Sequence, residues 1–145
     1  MTHGLKIGVL INSVLTGDSE LSTLVGSNVY PIIAEFDTPL PFITYTRMNI
    51  VPATVSKDGY VTDQIDFNIQ ISSETYAQGC EIADLVRALF EGKKITAEGV
   101  FSIRNIRVTS AAESWNENSY VQSLTFTCEA EDETAQDETA QNETE

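Results

Sequence analysis

The residue types that carry most enzyme chemistry are sparse and poorly spaced in this chain. His3 is the only histidine, and it lies near the chain end, where residues fray, so it is a poor general base or metal ligand. Cys80 and Cys128 lie in apolar patterns without CxxC spacing, as reduced core cysteines do. Asp63 and Asp66 have opposite phase on a strand, so they cannot face one substrate, and we expect both on the solvated surface.

Sequence motifs that hold phosphates, metals or nucleophiles do not occur in the chain. There is no phosphate loop, GxSxG, HExxH, EF-hand or GxGxxG pattern. Serines and threonines are plentiful, but a nucleophile needs a base within hydrogen-bond reach. We therefore predict no catalytic, cofactor-binding or metal-binding residues and no enzymatic activity; an enzyme that uses carboxylates alone has no support in the pattern.

Two arginines and one tryptophan could instead contact another protein. Arg104 and Arg107 flank Ile106 in a predicted strand and lie on opposite faces if that strand stays regular. We hypothesise that one of them forms ion pairs across a subunit interface. Trp115 lies in a polar stretch, where it either folds back over a sheet edge or anchors an interface, because tryptophan buries a large area at low entropy cost.

Length and charge narrow the class of protein. With 145 residues, 41% of them hydrophobic, the chain suits one folded domain. The net charge is -14, but residues 129–145 contain eight acids and no bases, which leaves -6 for residues 1–128. This balance argues against a sequence-specific nucleic-acid partner. The chain has no segment of ~20 apolar residues and no signal-peptide pattern, so we expect a soluble protein without a membrane partner.

The acidic C-terminal segment has a composition of its own. It reads EAEDETAQDETAQNETE, in which DETAQ occurs twice. Without aromatic or large aliphatic residues it cannot offset about 1–2 kcal/mol of backbone entropy per residue. We predict a folded domain at residues 1–128 and a disordered tail at 129–145, which is either a partner-binding tail or a tolerated extension.

Apolar spacing divides the domain into helices and strands. Intervals of three and four residues predict helices at 5–17, 18–26 and 74–91. Asp18 and Ser73 are the expected caps, and Gly26 and Gly92 the expected stops. Alternating apolar residues predict four strands, at residues 42–51, 64–72, 101–108 and 120–128.

The segments between the strands predict how they connect. The DG pair at 58–59 predicts a turn, the change of phase between Ile103 and Ile106 predicts a bulge, and residues 111–118 are predicted to form a hairpin loop with Trp115 near its tip. The predicted fold class is α+β, with an antiparallel sheet of about four strands packed by helices. The predicted order of elements is α-α-β-β-α-β-β.

Several strings then resemble a known family. LTGDSELSTLVGSNVYPIIAEFDTPLPFITYTRM resembles the opening of the tail-terminator, or tail-completion, proteins of long-tailed bacteriophages, and ETYAQGCEIADLVRALFEG and SYVQSLTFTC resemble a later helix and strand of that family. The resemblance covers about residues 4–128. It implies a structural subunit that forms a ring, often a hexamer, which caps the tail tube, ends its polymerisation and meets the head connector protein.

The same resemblance suggests which parts of the chain meet partners. The loops at 52–59 and 111–118 become candidate interfaces, so Lys57 and Asp58 join Arg104, Arg107 and Trp115 as candidate contact residues. The expected partners are further copies of the chain, the tail tube protein and the head connector. The expected location is the virion tail, assembled in the bacterial host cytoplasm; an active phage, a defective prophage and a phage-derived injection device remain alternatives. The alternatives are a small ligand-binding or regulatory α+β module and another phage neck or connector protein.

Overall fold

The computed structural model describes residues 4–55, 61–97 and 101–132. After a 3-10 turn at Gly4–Lys6, helices α1 and α2 precede strands β1 to β3, helix α3 and strands β4 to β6. Their bounds are α1 Ile7–Gly17, α2 Ser19–Val25, β1 Val29–Pro31, β2 Phe42–Val55, β3 Val61–Ser73, α3 Tyr76–Phe90, β4 Ile95–Ala97, β5 Phe101–Asn116 and β6 Ser119–Asp132.

The predicted sheet is wrong in strand number and in strand direction. The structure has a six-stranded mixed sheet in the order β1-β2-β3-β6-β5-β4, in which β1 pairs parallel to β2 and the other pairs are antiparallel. Both strands that the alternation missed, β1 and β4, have three residues each, too few to display a period of two. Pro31 in β1 further hides it, since proline is tolerated only at edges of sheets.

The core lies between one face of this sheet and the helices. Strand β3 is central and buries Ile65, Phe67, Ile69 and Ile71 completely, at 0% exposure. Phe67 stacks on Phe126 of β6, with ring centroids 5.1 Å apart. The helices cover this face with fully buried residues of α1 and α3, among them Ile7, Ile11, Leu15, Ile82, Val86 and Phe90.

Capping residues and glycines define the helix ends, and the predicted cap of α3 is wrong. The Asp18 carboxylate accepts a hydrogen bond from the Leu21 amide at 2.9 Å, so it caps α2 as predicted. The cap of α3 is Thr75 and not Ser73, because the Thr75 hydroxyl accepts from the Gln78 amide at 3.2 Å. Ser73 is buried and donates to the Thr75 carbonyl at 2.8 Å. The left-handed backbone of Gly92, with φ 75°, follows α3 as expected.

The predicted loop at 111–118 is wrong, because the long β5–β6 hairpin continues through it. Strand β5 runs to Asn116, and only Glu117 and Asn118 separate it from β6. A two-residue turn was hard to predict because Glu117, at φ 51°, occupies a left-handed position that usually takes glycine or asparagine. The predicted bulge is confirmed by a register shift between Arg104 and Arg107.

The last strand extends past the predicted domain end. Strand β6 continues to Asp132, so residues 129–132 are strand and not tail. The rest of the acidic repeat, residues 133–145, and the predicted turn at 58–59 lie outside the described residues. In the described part of the chain, none of the helices has both the length and the apolar content that a bilayer crossing requires.

Candidate assembly surfaces

The outer side of β5 is covered only along its first half. β4 pairs with Phe101–Ile103. The end of α3 covers the next stretch, where the Gly92 amide donates to the Ile106 carbonyl at 2.9 Å and the Val108 amide donates to the Glu91 carboxylate at 3.1 Å. Beyond this point β5 pairs with β6 alone among the described strands, and residues 109–116 are all exposed.

We call residues 110–116 the open edge of β5. Their pairing with β6 runs without a register shift, and they include no proline and one charged residue, Glu113. Sheet edges in soluble proteins are usually blunted by bulges, prolines or several charges, because bare edges recruit further strands. The other sheet edge has such protection, since β2 has register shifts at Arg47/Asn49 and Pro52/Thr54, and the Arg47 guanidinium donates to the Leu5 carbonyl at 2.8 Å.

An apolar groove lies at that opposite edge, between α1 and β1. Leu5 and Val9 of the first helical turns are 73% and 72% exposed, although both are large aliphatic residues. Together with Pro31 and Tyr45 they line a shallow cavity of about 490 Å³. We call this the α1–β1 groove. Exposed apolar patches of this kind are typical of contact surfaces.

The loop between β1 and β2 adds further exposed apolar side chains. Ile32 and Ile33 are 72% and 77% exposed, and Phe36 is fully exposed. Ile32 has φ 66°, a left-handed conformation that is strained for a β-branched residue. Its amide donates to the Tyr45 carbonyl at 2.8 Å, which extends the β1–β2 contact. The surface at the β1 edge therefore continues from the groove into this loop.

Three aromatic residues meet at the open edge of β5, and we call them the aromatic cluster: Tyr76 at the start of α3, Trp115 and Tyr120. Trp115 and Tyr120 are cross-strand partners across the hairpin turn. The Tyr120 ring lies edge-to-face with both others, 4.9 Å from Trp115 and 6.0 Å from Tyr76 between centroids. Tyr76, Trp115 and Tyr120 remain 49%, 59% and 38% exposed. The cluster is therefore ordered by its own contacts and still presents a large aromatic surface.

A carboxylate lies beside these rings. The Tyr76 hydroxyl donates to Glu113 Oε2 at 2.8 Å, and Gln122 Nε2 donates to the same oxygen at 3.0 Å. These two hydrogen bonds lower the pKa of Glu113, the bond from Tyr76 contributing most. The bond to Glu113, with a smaller effect of Cys80, raises the pKa of Tyr76 to about 12. Glu113 is thus ionised, and Tyr76 protonated, at neutral pH.

The predicted contact residues do not form one site. Arg104 forms ion pairs inside its own chain, with Glu129 at 3.4 Å and Glu131 at 3.2 Å. Arg107 is exposed and forms no ion pair with a described residue. Trp115 is eight positions further along β5, roughly 25 Å away at about 3.3 Å per residue. Lys57 and Asp58 lie outside the described residues.

Tyr76, Glu113 and Tyr120 were not among the predicted contact residues, and the predicted exposure of Asp63 is wrong. Tyr76 lies in the helix predicted at 74–91, and Glu113 lies in the stretch 111–118 that was predicted as a loop. One sequence signal could have predicted this grouping. Glu113 and Trp115 are two residues apart before the turn, and Tyr120 follows the turn, so the three can lie on one face of a hairpin. Asp63 is 8% exposed and therefore not on the solvated surface. Within residues 4–55, 61–97 and 101–132, no group of histidine, cysteine and acidic side chains is placed to hold a metal ion.

Comparisons with known proteins agree with the resemblance seen in the sequence. A chain in the virion of a native gene transfer agent particle superimposes with a TM-score of 0.66, at 19% identity, covering 85% of this chain and 92% of that one. A second solved chain, whose name describes no function, matches with a TM-score of 0.57 at 14% identity, covering 92% of this chain and 96% of that one. These identities support a shared fold. A comparison with curated proteins gave no match.

The family assignment comes from the sequence itself. The model of the tail completion protein gp17 family matches residues 10–130, which include every helix except the start of α1 and every strand except the end of β6. The predicted family is therefore confirmed. The chain belongs to the tail completion protein gp17 family, whose members are structural proteins of the phage tail.

Proposed function

We propose that this protein assembles as a homo-oligomeric ring on the end of the phage tail tube, ends tube polymerisation and forms the surface that joins the tail to the head. The observation that carries this proposal is the family match over residues 10–130. Its partners are then other copies of the chain, the tail tube protein and the head connector. It acts as a structural subunit without catalysis, assembles in the host cytoplasm and remains in the virion tail.

The exposed surfaces at the two edges of the sheet support assembly as a ring. Rings form through head-to-tail contacts, in which one surface of a subunit meets a different surface of the next. The order β1-β2-β3-β6-β5-β4 places the α1–β1 groove and the open edge of β5 on opposite sides of the sheet. We propose that the open edge of one copy lies against the α1–β1 groove and the adjoining loop of the next copy. Such a contact has no two-fold symmetry, and its repetition gives a ring when the rotation between neighbouring copies closes around the tube.

Two substitutions test this contact through the mass of the assembled protein. Val9→Glu places a charge in the groove, and Ala112→Lys places one in the open edge; both positions are exposed, so the fold should persist. Thr16→Lys, at an exposed position near the end of α1, is the matched control for added charge. The measurement is light scattering coupled to size exclusion, with circular dichroism to verify folding.

The expected result is a ring-sized wild-type species at high concentration, retained by Thr16→Lys and converted to monomer by Val9→Glu and by Ala112→Lys. If folded Val9→Glu and Ala112→Lys proteins assembled like the wild type, the proposed contact would be wrong. A wild-type protein that remains monomeric at every concentration, both alone and with tail tubes, would contradict the ring itself.

A further inference from the structure

The aromatic cluster and Glu113 surround a pocket that the ring contact leaves unexplained. The pocket has a volume of about 230 Å³ and is lined by Tyr76, Glu113, Trp115, Tyr120 and Gln122 among others. We propose that this pocket binds the guanidinium group of an arginine carried by an extended segment of another protein of the particle. The proposal concerns a different ligand from the ring contact and is tested without assembly.

The aromatic rings provide the first half of the recognition. The ring planes of Trp115 and Tyr76 are inclined by 70° and 77° to that of Tyr120, and all three residues line the pocket. Aromatic faces carry negative partial charge, and they attract a cation within about 6 Å of the ring centre. A cation in this pocket would therefore lie next to more than one aromatic side chain.

Glu113 provides the second half. Both of its described hydrogen bonds, from Tyr76 and Gln122, end on Oε2, so Oε1 accepts no hydrogen bond from the described residues. The donors hold the carboxylate in place and keep it ionised. A side chain held before binding loses little entropy when the ligand arrives. Arginine is favoured over lysine because its planar fork can donate to a carboxylate and stack on aromatic faces together.

The position of the pocket indicates an extended ligand. Glu113 and Trp115 belong to the open edge of β5, and Gln122 and Tyr120 are their partners on β6. These four side chains lie on one face of the hairpin, whereas the proposed ring contact uses the backbone edge of β5. An extended segment that lies across this face, without pairing with the edge, can place an arginine beside Glu113.

The chain's own arginines are poor candidates for the ligand. Arg47 donates to a backbone carbonyl, Arg87 pairs with Glu91, and Arg104 pairs with two glutamates. Arg107 is the remaining arginine and lies on β5 itself, toward the bulge. The chain has 22 acidic and eight basic residues, so it is better suited to bind a cationic side chain than to supply one. We therefore assign the arginine to a different protein.

The only tryptophan of the chain lies in the pocket, so its fluorescence reports binding directly. The probe is N-acetyl-arginine amide, and the matched probe is N-acetyl-citrulline amide, which has a similar planar end without the charge. We expect a saturable change of Trp115 emission with arginine at a Kd of roughly millimolar, and binding of citrulline at least about tenfold weaker. A response that is equal for both probes, or that does not saturate by about 100 mM, would overturn the proposal.

Variants assign the response to the pocket. Glu113→Gln keeps the size and the acceptor oxygen but removes the charge, and we expect arginine to bind about tenfold more weakly. Glu117→Gln, in the exposed hairpin turn, is the matched control and should bind like the wild type. Unchanged affinity in Glu113→Gln would refute the role of the carboxylate. If Arg107→Gln alone altered Trp115 emission in concentrated ligand-free protein, the arginine would come from a second copy, and assignment to another protein would fail.

Discussion

Glu113 accepts hydrogen bonds from two neutral donors on one carboxylate oxygen, and its other oxygen accepts none from the described residues. We propose that this second oxygen binds the arginine of a partner protein. Neither donor is close in the sequence: Tyr76 begins α3 and Gln122 lies across the hairpin. The arrangement therefore depends on α3 being packed against the sheet. It could not be predicted from spacing, because spacing relates residues of one element and this contact joins three.

Removing the Tyr76 hydroxyl should change how stability depends on pH. Because the folded-state pKa of Glu113 lies below its usual 4.5, the stabilising contribution of its ionised form is present above about pH 4.5 and is lost as pH falls through the folded pKa. We expect Tyr76→Phe to raise the pKa of Glu113 and to lower the free energy of unfolding at neutral pH. The two proteins should converge in stability as Glu113 becomes protonated.

Urea denaturation at several pH values measures this difference, together with an NMR titration of the Glu113 carboxyl group. Tyr30→Phe is the matched control, because the Tyr30 hydroxyl donates at 3.1 Å to the uncharged side-chain oxygen of Asn28. Its effect should not vary between pH 3 and 7. A Tyr76→Phe effect that is equally independent of pH would show that the hydrogen bond to Glu113 does not lower its pKa.

At the scale of elements, what the sequence predicts depends on the length and regularity of each pattern. Strand β3 was recognisable because four isoleucine and phenylalanine positions alternate within it, and all four are buried. The end of β5 was mistaken for a loop because Ala111 and Ala112 have weak strand propensity and residues 109–116 are all exposed, so no burial pattern exists there. The bulge was predictable because it shifts the apolar phase between Ile103 and Ile106.

The connection from α3 to the sheet should depend on one glycine. Gly92 has φ 75°, and its amide donates to the Ile106 carbonyl at 2.9 Å, so it both ends α3 and covers part of the β5 edge. We expect Gly92→Ala to lower the free energy of unfolding by about 1–2 kcal/mol, because residues with a Cβ are strained in the left-handed region.

Gly17 is the matched control for that substitution. It lies in the last turn of α1 without a positive φ, and an added Cβ would meet no atom within 4 Å. Gly17→Ala should leave stability unchanged or raise it by up to about 1 kcal/mol, since alanine favours helix. Denaturant titrations of both variants measure the pair. Equal effects of the two substitutions would show that the left-handed conformation at Gly92 carries no special cost.

At the scale of the whole molecule, the family could be predicted from the sequence while the sheet could not. Short strings such as LPFITY resemble the family locally, and the family match over residues 10–130 agrees with that resemblance. The mixed sheet depends instead on a parallel contact between three residues of β1 and the start of β2, across the intervening loop. The aromatic cluster could not be predicted either, because Trp115 was visible as an unusual residue, but Tyr120, which contacts it, lies on β6, and Tyr76, which contacts Tyr120, lies on α3.

The whole molecule then has three surfaces for an assembly role, two of which share residues of β5. The α1–β1 groove and the open edge of β5 lie at opposite sides of the sheet, and the pocket at Glu113 adds a charged contact beside the open edge. We propose that the groove and the open edge join copies of the chain and that the pocket binds another protein. Self-assembly then uses the backbone edge of the hairpin, and partner recognition uses side chains on one of its faces.

In the proposed function, this protein ends the growth of the tail tube. Electron microscopy of tails from a producing host that lacks the gene tests it most directly, with the wild-type gene and the Val9→Glu variant returned as comparisons. We expect tubes of variable and excessive length without the protein, and uniform tubes joined to heads when the wild type is restored but not when Val9→Glu is. Tubes of normal, uniform length in its complete absence would show that the protein does not end tube growth.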